Sequence, residues 1–397
     1  MLLKIRAKVI DTVFLTLLFF NELSFYTEDT LNLYIGIVGA ATIYVGIKII
    51  LKPLILKKIV NSRAVIWLTI FYLYIFIDYY LRGFGDFNYL RMTTCWAILI
   101  DIWVLIYDKY EYVVIKKYCM ACLVAGIVGS SYIIFKDSDS LLSLNRIGES
   151  LSGNVNSVGI CLSIFSFGIL YLYFSKNNKW LLLAFVLVVT MMLLTGSKKV
   201  ILTLLVEVFL YLSWGGFKFK KTIVAISAVI LFVYLIFNNN YLYGILGIRI
   251  IDFLGGIGFH ISGAHYSFST RTREDLIKLA WNLFLQKPIF GNGYGAVAKH
   301  SAIGFYSHNN MMELLACYGL FGFSLFYSRH LRSLFNLHRA HMDSNLINFL
   351  FFVLINAIIV DVGAVSYVAA GAMPYVFLIV IDAVLTTSKE HNGSDSI

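Results

Sequence analysis

Charged residues are scarce in this sequence, and so is proline. Asp, Glu, Lys and Arg together make up 14% of the 397 residues, and only three residues are proline. Soluble globular domains carry about 25% charged residues. A chain this poor in charge cannot keep its apolar surface away from water by folding on itself, so the composition excludes a soluble globular protein. The shortage of proline favours long, uninterrupted helices.

Alternating segments of about ten residues, which a membrane β-barrel needs, are missing too. The apolar residues, 59% of the chain, stand in long continuous runs, and a helix that crosses a bilayer needs about 20 such residues. The sequence therefore predicts an all-α, polytopic membrane protein that forms a single membrane domain over residues 1–397. Twelve transmembrane helices are predicted, at residues 9–23, 31–51, 64–81, 92–107, 119–135, 155–174, 180–195, 200–214, 222–237, 306–328, 346–363 and 366–385.

Motifs that would indicate metal or nucleotide chemistry are absent as well. The loops predicted to lie outside hold no HExxH, DxD or Walker sequence and no usefully spaced pair of carboxylates. No strand precedes the glycine run at residues 291–295, so this run predicts a tight turn after Pro288 and not a dinucleotide site. Cys119 and Cys122 form one CxxC without a second pair. Metal catalysis and a nucleotide-sugar donor therefore have no support, and no cofactor is expected.

The basic residues predict how the chain is oriented in the membrane. The net charge is +10, which in a soluble protein would suggest nucleic acid, but in a membrane protein lysine and arginine mark the cytoplasmic loops. With the N-terminus inside, the inner segments hold 20 of the 32 basic residues, and the short outer loops hold six. The positive-inside rule thus predicts cytoplasmic termini, an outer loop at residues 238–305, and no nucleic-acid partner.

The long outer loop contains a predicted amphipathic helix. Thr272 and Asp275 form a capping-box-like pair, which predicts Thr272 at the N-cap, Arg273 at the first helical position and an end at Lys287-Pro288. One apolar face is predicted, formed by Leu276, Ile277, Ala280, Leu283 and Phe284. Unpaired backbone N–H groups and the helix dipole would make Arg273 suited to phosphate. The alternative is a surface arginine on an interfacial helix.

A second candidate is the segment TGSKK at residues 195–199. Ser197 is a natural N-cap, which puts Lys198 and Lys199 into the first turn of the next span, on the outer side and against the charge rule. Ionisable residues at membrane depth cost about 2.5–3.5 kcal/mol and are functional by default. Anion binding is one interpretation, and snorkelling to the outer headgroups is the other.

Polar residues also open two further outward-facing spans. Ser307 is predicted to cap one span and to leave His308 in its first turn, followed by Asn309; Asn154 and Asn156 open another span in the same way. A lone histidine is more often structural than catalytic. Together with the arginines and lysines, however, these groups predict a pool of positive potential at the outer interface that fits a lipid-linked diphosphate.

Three acids in or near the spans allow two interpretations. Glu207, Asp361 and Asp382 would suit a proton path, but buried, hydrogen-bonded structural acids are the preferred reading.

Four pieces of the sequence resemble the O-antigen polymerase and ligase superfamily of bacterial membrane glycosyltransferases, which includes Wzy-type polymerases. They are TGSKK at 195–199, the helix with Arg273, KPIFGNGYG at 287–295, and SHNNMMELLACYGLFGF at 307–323. Arg273 stands fifteen residues before Pro288, as the family's arginine stands before its Pro-x-x-Gly-x-Gly. Gly319 and Gly322 supply its Gly-x-x-Gly. The chain departs from the family in having lysines where arginine is frequent and in lacking the proline of Asn-Pro-Asn between Asn154 and Asn156.

The resemblance implies a GT-C-like fold and a metal-independent, inverting glycosyl transfer at the outer face of the bacterial cytoplasmic membrane. The donor would be a growing glycan on undecaprenyl pyrophosphate, the acceptor another lipid-linked repeat unit, and the product O-antigen or capsular polysaccharide. Membrane lipids, a chain-length regulator and a flippase are the further partners that it suggests.

The resemblance also assigns roles to residues. Arg273 and either Lys198 or Lys199 would hold the pyrophosphate and stabilise its leaving charge. His308 would be the base on the acceptor hydroxyl, or else a phosphate partner. The residues predicted to complete the binding site are Arg271, Asn154, Asn156 and Asn309.

Two other functions stay open at this point. An O-antigen ligase would use the same chemistry with lipid A core as the acceptor. A flippase or transporter of lipid-linked oligosaccharide would show pseudo-repeated halves with broken helices at the membrane midplane, and the sequence indicates neither.

Overall fold

The protein is helical wherever its structure is described. The computed structural model describes residues 31–51, 53, 56–57, 60, 63–85, 111–143, 145–148, 155–256, 268–339 and 343–367. No strand occurs among these residues, and the all-α prediction is confirmed. The helices are α1 (Leu31–Leu51), α2 (Arg63–Arg82), α3 (Glu111–Lys136), α4 (Ser138–Leu142), α5 (Val155–Lys176), α6 (Lys179–Leu194), α7 (Lys198–Ser213), α8 (Phe219–Asn238), α9 (Asn240–Leu242), a π-helical turn (Tyr243–Gly247), α10 (Ile248–Gly256), α11 (Phe268–Gln286), α12 (Ala296–His300), α13 (Asn310–His338) and α14 (Ser344–Asp361).

Within the described part of the chain, six helices are long and apolar enough to cross a membrane. They are α2, α3, α5, α8, α13 and α14. The predicted spans at 180–195 and 200–214 correspond to α6 and α7, which have 16 residues each. The predicted spans at 9–23 and 92–107, and nearly all of 366–385, lie outside the described residues. The polytopic membrane character is thereby confirmed, and the number twelve stays a prediction.

The chain divides into two compact units. The first holds residues 1–41, 112–265 and 342–356, and the second holds 42–111, 266–341 and 357–397. Each unit draws on segments that are far apart in the sequence.

The first unit is built around α5. Every residue from 161 to 170 is buried, because α6 and α7 both pack against this helix. Two polar contacts join buried side chains there. The hydroxyl of Ser166 donates to the carboxylate of Glu207, and the hydroxyl of Thr203 donates to Asn356 Oδ1 at 2.9 Å.

The second unit is held together by aromatic packing and by an amphipathic helix. Trp67 on α2 donates from Nε1 to the carbonyl of Leu325 on α13 at 2.7 Å, and the rings of Phe71 and Phe326 lie 5.2 Å apart. Helix α11 packs against α12 and α13. Its buried side chains join a small core made of Leu276, Ala280, Leu283, Val297 and Ala316.

The acids that the sequence placed in or near spans are buried where they are described. Asp361 accepts from the hydroxyl of Tyr327 at 2.8 Å and from Asn310 Nδ2 at 3.4 Å. Glu207 has Ser166 as its partner. Both contacts fit the expected structural acids, and Asp382 lies outside the described residues.

The predicted outer loop at 238–305 is largely helical. It contains the π-helical turn and helices α9 to α12, while residues 257–267 are outside the described part. The sequence predicted α11 but not α10. The placement of the loop at 238–305 outside the membrane stays a prediction.

Candidate functional site

The N-cap of α13 lies two residues later in the sequence than predicted. Asn309 is the N-cap, with φ −140° and ψ 116°, and its side chain accepts from the amide of Met312 at 3.1 Å. The prediction that Ser307 caps this helix, with His308 in the first turn, is therefore wrong. Asparagine is as good an N-cap as serine. The Ser307 hydroxyl instead donates to the carbonyl of Asn309 at 2.8 Å and accepts from its amide at 3.3 Å.

His308 has an unusual backbone conformation. Its φ is 56°, in the left-handed region that few residues other than glycine adopt. Both neighbours are anchored, because the amide of Ser307 donates to Glu313 Oε2 at 2.7 Å and Asn309 Nδ2 donates to the carbonyl of Val362 at 3.2 Å. The imidazole lies beside the ring of Tyr306, with centroids 4.5 Å apart. Such strain persists only where surrounding contacts enforce it, and it concentrates at functional sites.

A buried polar network fixes the first turn of α13. Asn310 is fully buried; its Nδ2 donates to the hydroxyl of Tyr327 at 3.1 Å, and its Oδ1 accepts from the amide of Tyr367 at 3.1 Å. Asp361 accepts from both Asn310 and Tyr327. Buried polar groups that are satisfied in this way specify one arrangement, so the residues next to His308 have a defined position.

Arg273 lies in the second turn of α11 and not at its start. The helix begins at Phe268, five residues earlier, and 3.6 residues make one turn. The predicted cap at Thr272 is therefore wrong, because an N-cap residue is non-helical and Thr272 lies inside the helix. The dipole acts mainly within the first turn, so it contributes little at Arg273. Arg273 is half-buried and Arg271 is exposed.

The rest of the α11 prediction is confirmed. The helix ends at Gln286, before Pro288, and four of the five residues on the predicted face, Leu276, Ala280, Leu283 and Phe284, are buried. Ile277 is half-buried. Helix α11 packs on α13, so the second unit carries Arg271, Arg273, His308 and Asn309 on or next to two helices that touch.

Helix α13 is interrupted at Gly319. This residue has φ 62° and ψ −162°, which leaves neighbouring backbone groups without partners in their own helix. The glycine-rich turn supplies them. The amides of Asn292 and Gly293 donate to the carbonyls of Ala316 and Cys317 at 3.0 and 2.8 Å, and the amides of Leu320 and Phe321 donate to the carbonyls of Pro288 and Ile289 at 2.8 and 3.0 Å. The sequence indicated no broken helix, and this expectation is wrong at Gly319.

Glycine is required on both sides of this joint. Gly291 has φ 64°, and a Cβ there would collide with the carbonyl of Cys317. A Cβ at Gly319 would collide with the carbonyl of Ile289. The Pro-x-x-Gly-x-Gly and Gly-x-x-Gly segments are therefore two halves of one packed joint, which explains why they occur together.

The end of α2 grips the same turn. Arg82 donates from Nη1 to the carbonyl of Gly291 at 2.8 Å and from Nη2 to the carbonyl of Phe290 at 2.6 Å. Asp78 accepts from Arg82 Nε at 2.5 Å and from the amide of Tyr294 at 3.0 Å. The sequence carries the Asp-Arg pair at helical spacing, but nothing in it marks the turn as the partner.

The lysines of the first unit occupy the predicted positions on α7. Ser197 is the N-cap, with φ −78° and ψ 127° but without a side-chain capping bond, and Lys198 and Lys199 begin the helix. Lys198 Nζ lies 3.0 Å from Asp252 Oδ2 on α10, with side chains 22% and 5% exposed. Lys198 is thus paired with a carboxylate, a partner that neither sequence interpretation named. Lys199 is half-buried.

An arginine that sequence analysis did not select reaches the same segment. Arg146 donates from Nε to the carbonyl of Thr195 at 2.7 Å and from Nη2 to Asn156 Oδ1 at 3.1 Å. Asn156 lies in the first turn of α5, whereas Asn154 is outside the described residues. Arg146 therefore links the start of α5 to the TGSKK turn.

The described residues include no group of three or more His, Cys, Asp or Glu side chains that could hold a metal ion.

Residues 183–327 match a family model described as O-antigen ligase. The matched segment covers a little over a third of the chain and contains the TGSKK turn, Arg273, the glycine-rich turn and His308. The resemblance to the O-antigen polymerase and ligase superfamily is thereby confirmed. Together with the apolar helices, the match points to an integral membrane protein with a role in O-antigen processing, and it indicates an enzyme of glycosyl transfer. No curated protein matches the chain significantly.

Several residues that support the motifs of the matched segment lie outside residues 183–327. Asp78, Arg82, Arg146 and Asn156 precede the matched segment, and Asp361 follows it. Asp78, Arg82 and Arg146 make contacts with residues far away in the sequence, which is why no local pattern identified these three.

Proposed function

We propose that this protein polymerises lipid-linked oligosaccharide repeat units into O-antigen or capsular polysaccharide at the outer face of the cytoplasmic membrane. The donor is a glycan on undecaprenyl pyrophosphate, and the acceptor is a second lipid-linked repeat unit. Membrane lipids surround both substrates. A chain-length regulator and a flippase are the protein partners proposed for this system.

The proposed reaction is one displacement at the anomeric carbon of the donor. An acceptor hydroxyl oxygen forms the new C–O bond, and the bond from the anomeric carbon to the pyrophosphate oxygen breaks with inversion. His308 accepts the hydroxyl proton. The pyrophosphate leaves with its electron pair, and its charge is stabilised by Arg273, with Lys198 or Lys199 as further cations. Arg271, Asn154, Asn156 and Asn309 are proposed to complete the binding of the pyrophosphate.

The observation that carries this proposal is the backbone of His308. A histidine held at φ 56° between two anchored neighbours has its backbone position set in advance, and its imidazole packs beside the ring of Tyr306. A general base needs such positioning, because proton transfer requires hydrogen-bond reach to one hydroxyl. A histidine with a purely structural role gains nothing from the strain.

The second candidate is an O-antigen ligase, and the description of the matched family favours it. The bond chemistry and the proposed roles of Arg273 and His308 are the same. Only the acceptor differs, since a ligase would transfer the finished glycan to lipid A core. An experiment that separates polymerase from ligase must therefore compare acceptors.

A transporter of lipid-linked oligosaccharide receives less support, although α13 is broken. Transporters use the unwound backbone at such a break to bind ions or substrate. At Gly319 the carbonyls of Ala316 and Cys317 and the amides of Leu320 and Phe321 already bond to the glycine-rich turn. These four backbone groups are therefore not available to bind a cargo. The break instead packs helix α13 against the glycine-rich turn.

The test is a reconstituted transfer assay with two acceptors. Purified protein in liposomes receives undecaprenyl-pyrophosphate-linked repeat units, either alone or with lipid A core. We expect glycan ladders with repeat units alone and no transfer to lipid A core. Glycan on the core without ladders would establish the ligase, and movement of substrate across the membrane without a new glycosidic bond would establish the transporter.

Matched controls exist for both catalytic residues. His300 is exposed and its ring bonds to the carbonyl of Ala296 in its own helix, so His300→Ala should leave ladders unchanged while His308→Ala abolishes them. Lys278 is 72% exposed beside Asp275 on α11, so Lys278→Ala serves as the control for Arg273→Ala. Ladders that persist in both His308→Ala and Arg273→Ala would refute the assignment.

A further inference from the structure

Two residues at the end of α2, Asp78 and Arg82, have no role in the proposed transfer reaction as described so far. They lie outside the segment that matches the O-antigen ligase family. Asp78 is 4% exposed, and the Arg82 side chain is 33% exposed. A buried carboxylate paired with an arginine costs desolvation energy, which only good geometry and further hydrogen bonds repay.

Arg82 donates hydrogen bonds from all three of its guanidinium nitrogens. Its Nε donates to Asp78 at 2.5 Å, while Nη1 and Nη2 donate to the carbonyls of Gly291 and Phe290 at 2.8 and 2.6 Å. Three acceptors in a fixed fork suit arginine and do not suit lysine, whose ammonium is a point charge on a flexible stem. The contact therefore depends on shape as well as on charge.

Asp78 and Phe84 add further hydrogen bonds to the same turn. Asp78 Oδ2 accepts from the amide of Tyr294 at 3.0 Å, and the amide of Phe84 donates to the carbonyl of Tyr294 at 2.8 Å. A Cβ at Gly293 would lie 2.9 Å from the carbonyl oxygen of Arg82, so the two backbones touch. The turn at residues 290–294 is thus contacted from the α2 side at 290–291 and at 293–294.

On its other side the same turn holds the two helices that carry the candidate site residues. Its amides at Asn292 and Gly293 bond to the carbonyls beside the break in α13. Asn292 Nδ2 donates to the carbonyl of Leu283 on α11 at 2.7 Å. The turn therefore connects α11, which carries Arg273, to the half of α13 that follows His308.

We propose that Asp78 and Arg82 are positioning residues of the transfer reaction, which act through the turn at residues 290–294. This inference rests on the proposed function. By fixing the turn, the pair sets the break in α13 and its contact with α11, and so it sets Arg273 and His308 relative to each other. Neither side chain touches substrate in this role.

Positioning predicts a loss in kcat with little change in the KM of the donor. A misplacement of about 1 Å costs about 100-fold in rate, so Arg82→Ala should lower kcat by about that factor. Arg82→Lys keeps the charge but not the fork, and kcat should fall about tenfold. Asp78→Asn keeps a side-chain oxygen that can accept from the amide of Tyr294, so its kcat should lie between the values of the wild-type protein and Arg82→Ala. Arg63→Ala is the control, because Arg63 is exposed at the other end of α2.

A second measurement does not depend on activity. Hydrogen exchange should accelerate in peptides that cover residues 290–294 and 316–321 of Arg82→Ala, since those amides lose the support of α2. Peptides from α5 should exchange as in the wild-type protein. Arg82→Lys gives the same readout in a variant that keeps charge and volume, should Arg82→Ala fail to fold.

The outcomes separate the possibilities. Unchanged exchange at 290–294 in both Arg82 variants would overturn the proposal. A rise in donor KM with kcat held would also overturn it, because Arg82 would then contact the donor directly. If the wild-type protein forms no glycosidic bond, the proposed function fails. Exchange would then still decide whether the pair holds the turn.

Discussion

Lys198 and Asp252 form an ion pair, with 3.0 Å between Nζ and Oδ2, at the start of α7. The carboxylate is 5% exposed and the ammonium side chain 22%. One of the proposed phosphate-binding residues already has an anionic partner, so the proposal gives the same lysine a role in both stability and substrate binding. The two roles can be separated by changing the partners one at a time and together.

Lys198→Ala should destabilise the protein by about 3 kcal/mol, because removing one member of a buried pair leaves an uncompensated charge. The double variant Lys198→Ala, Asp252→Ala should recover most of that loss. If Lys198 binds pyrophosphate, the double variant stays poor in activity although its stability returns. Thermal unfolding in detergent measures the first effect, and the transfer assay measures the second.

Recovery of both stability and activity in the double variant would show that Lys198 is structural. Lys199→Ala would then be the variant that loses donor binding, since one of the two lysines is proposed to act.

His308→Gly should make the protein more stable and inactive. The left-handed region costs residues other than glycine about 1–2 kcal/mol, and glycine adopts it freely. His308→Ala keeps that cost, so it should be less stable than His308→Gly while it is equally inactive. The comparison of unfolding temperatures tests whether strain at φ 56° is retained for function. Equal stability of the two variants would contradict this explanation.

Gly291→Ala and Gly319→Ala should both abolish folding, since in each case a new Cβ meets a backbone carbonyl and φ is positive. Gly304 provides the matched control, with φ 70° but no atom within 4 Å of the added Cβ. Gly304→Ala should cost only the conformational strain of about 1–2 kcal/mol. The yield of monodisperse protein in detergent measures all three. Loss in Gly304→Ala as severe as in Gly291→Ala would mean that strain, and not the joint, explains the effect.

Arg146→Lys should weaken donor binding although it keeps the charge. Lysine cannot donate at the same time to the carbonyl of Thr195 and to Asn156 in the fixed fork that arginine provides. The TGSKK turn and the first turn of α5 would then lose their common support. Titration of a lipid-linked diphosphate against the purified variant measures the change, and an unaltered affinity would show that the link made by Arg146 does not serve donor binding.

The parts of the fold that sequence predicts well are those that depend on local periodicity. The apolar runs predicted the helices, and the 3.6-residue period predicted the buried face of α11 at Leu276, Ala280 and Leu283. Exact helix starts were less accurate. Ser307 and Asn309 are both good caps, and the sequence does not show contacts such as the one between Asn309 Nδ2 and the carbonyl of Val362.

The joint at Gly319 illustrates what local patterns do not contain. Arg82 and Gly291 are 209 residues apart in the sequence, and neither residue carries a sign of the other. The glycine run at 291–295 correctly predicted a turn, but the break at Gly319 was not predicted, because it depends on backbone hydrogen bonds between distant segments. The same holds for Asp252, whose partner Lys198 lies 54 residues away.

The most direct test of the proposed transfer reaction measures both of its products in one experiment. Wild-type protein in liposomes with lipid-linked repeat units should yield one free undecaprenyl pyrophosphate for each new glycosidic bond, measured together by mass spectrometry. His300→Ala should give the same yields, and His308→Ala should give neither product. Bond formation by His308→Ala at the wild-type rate, or no release of the lipid pyrophosphate by the wild-type protein, would contradict the proposed transfer.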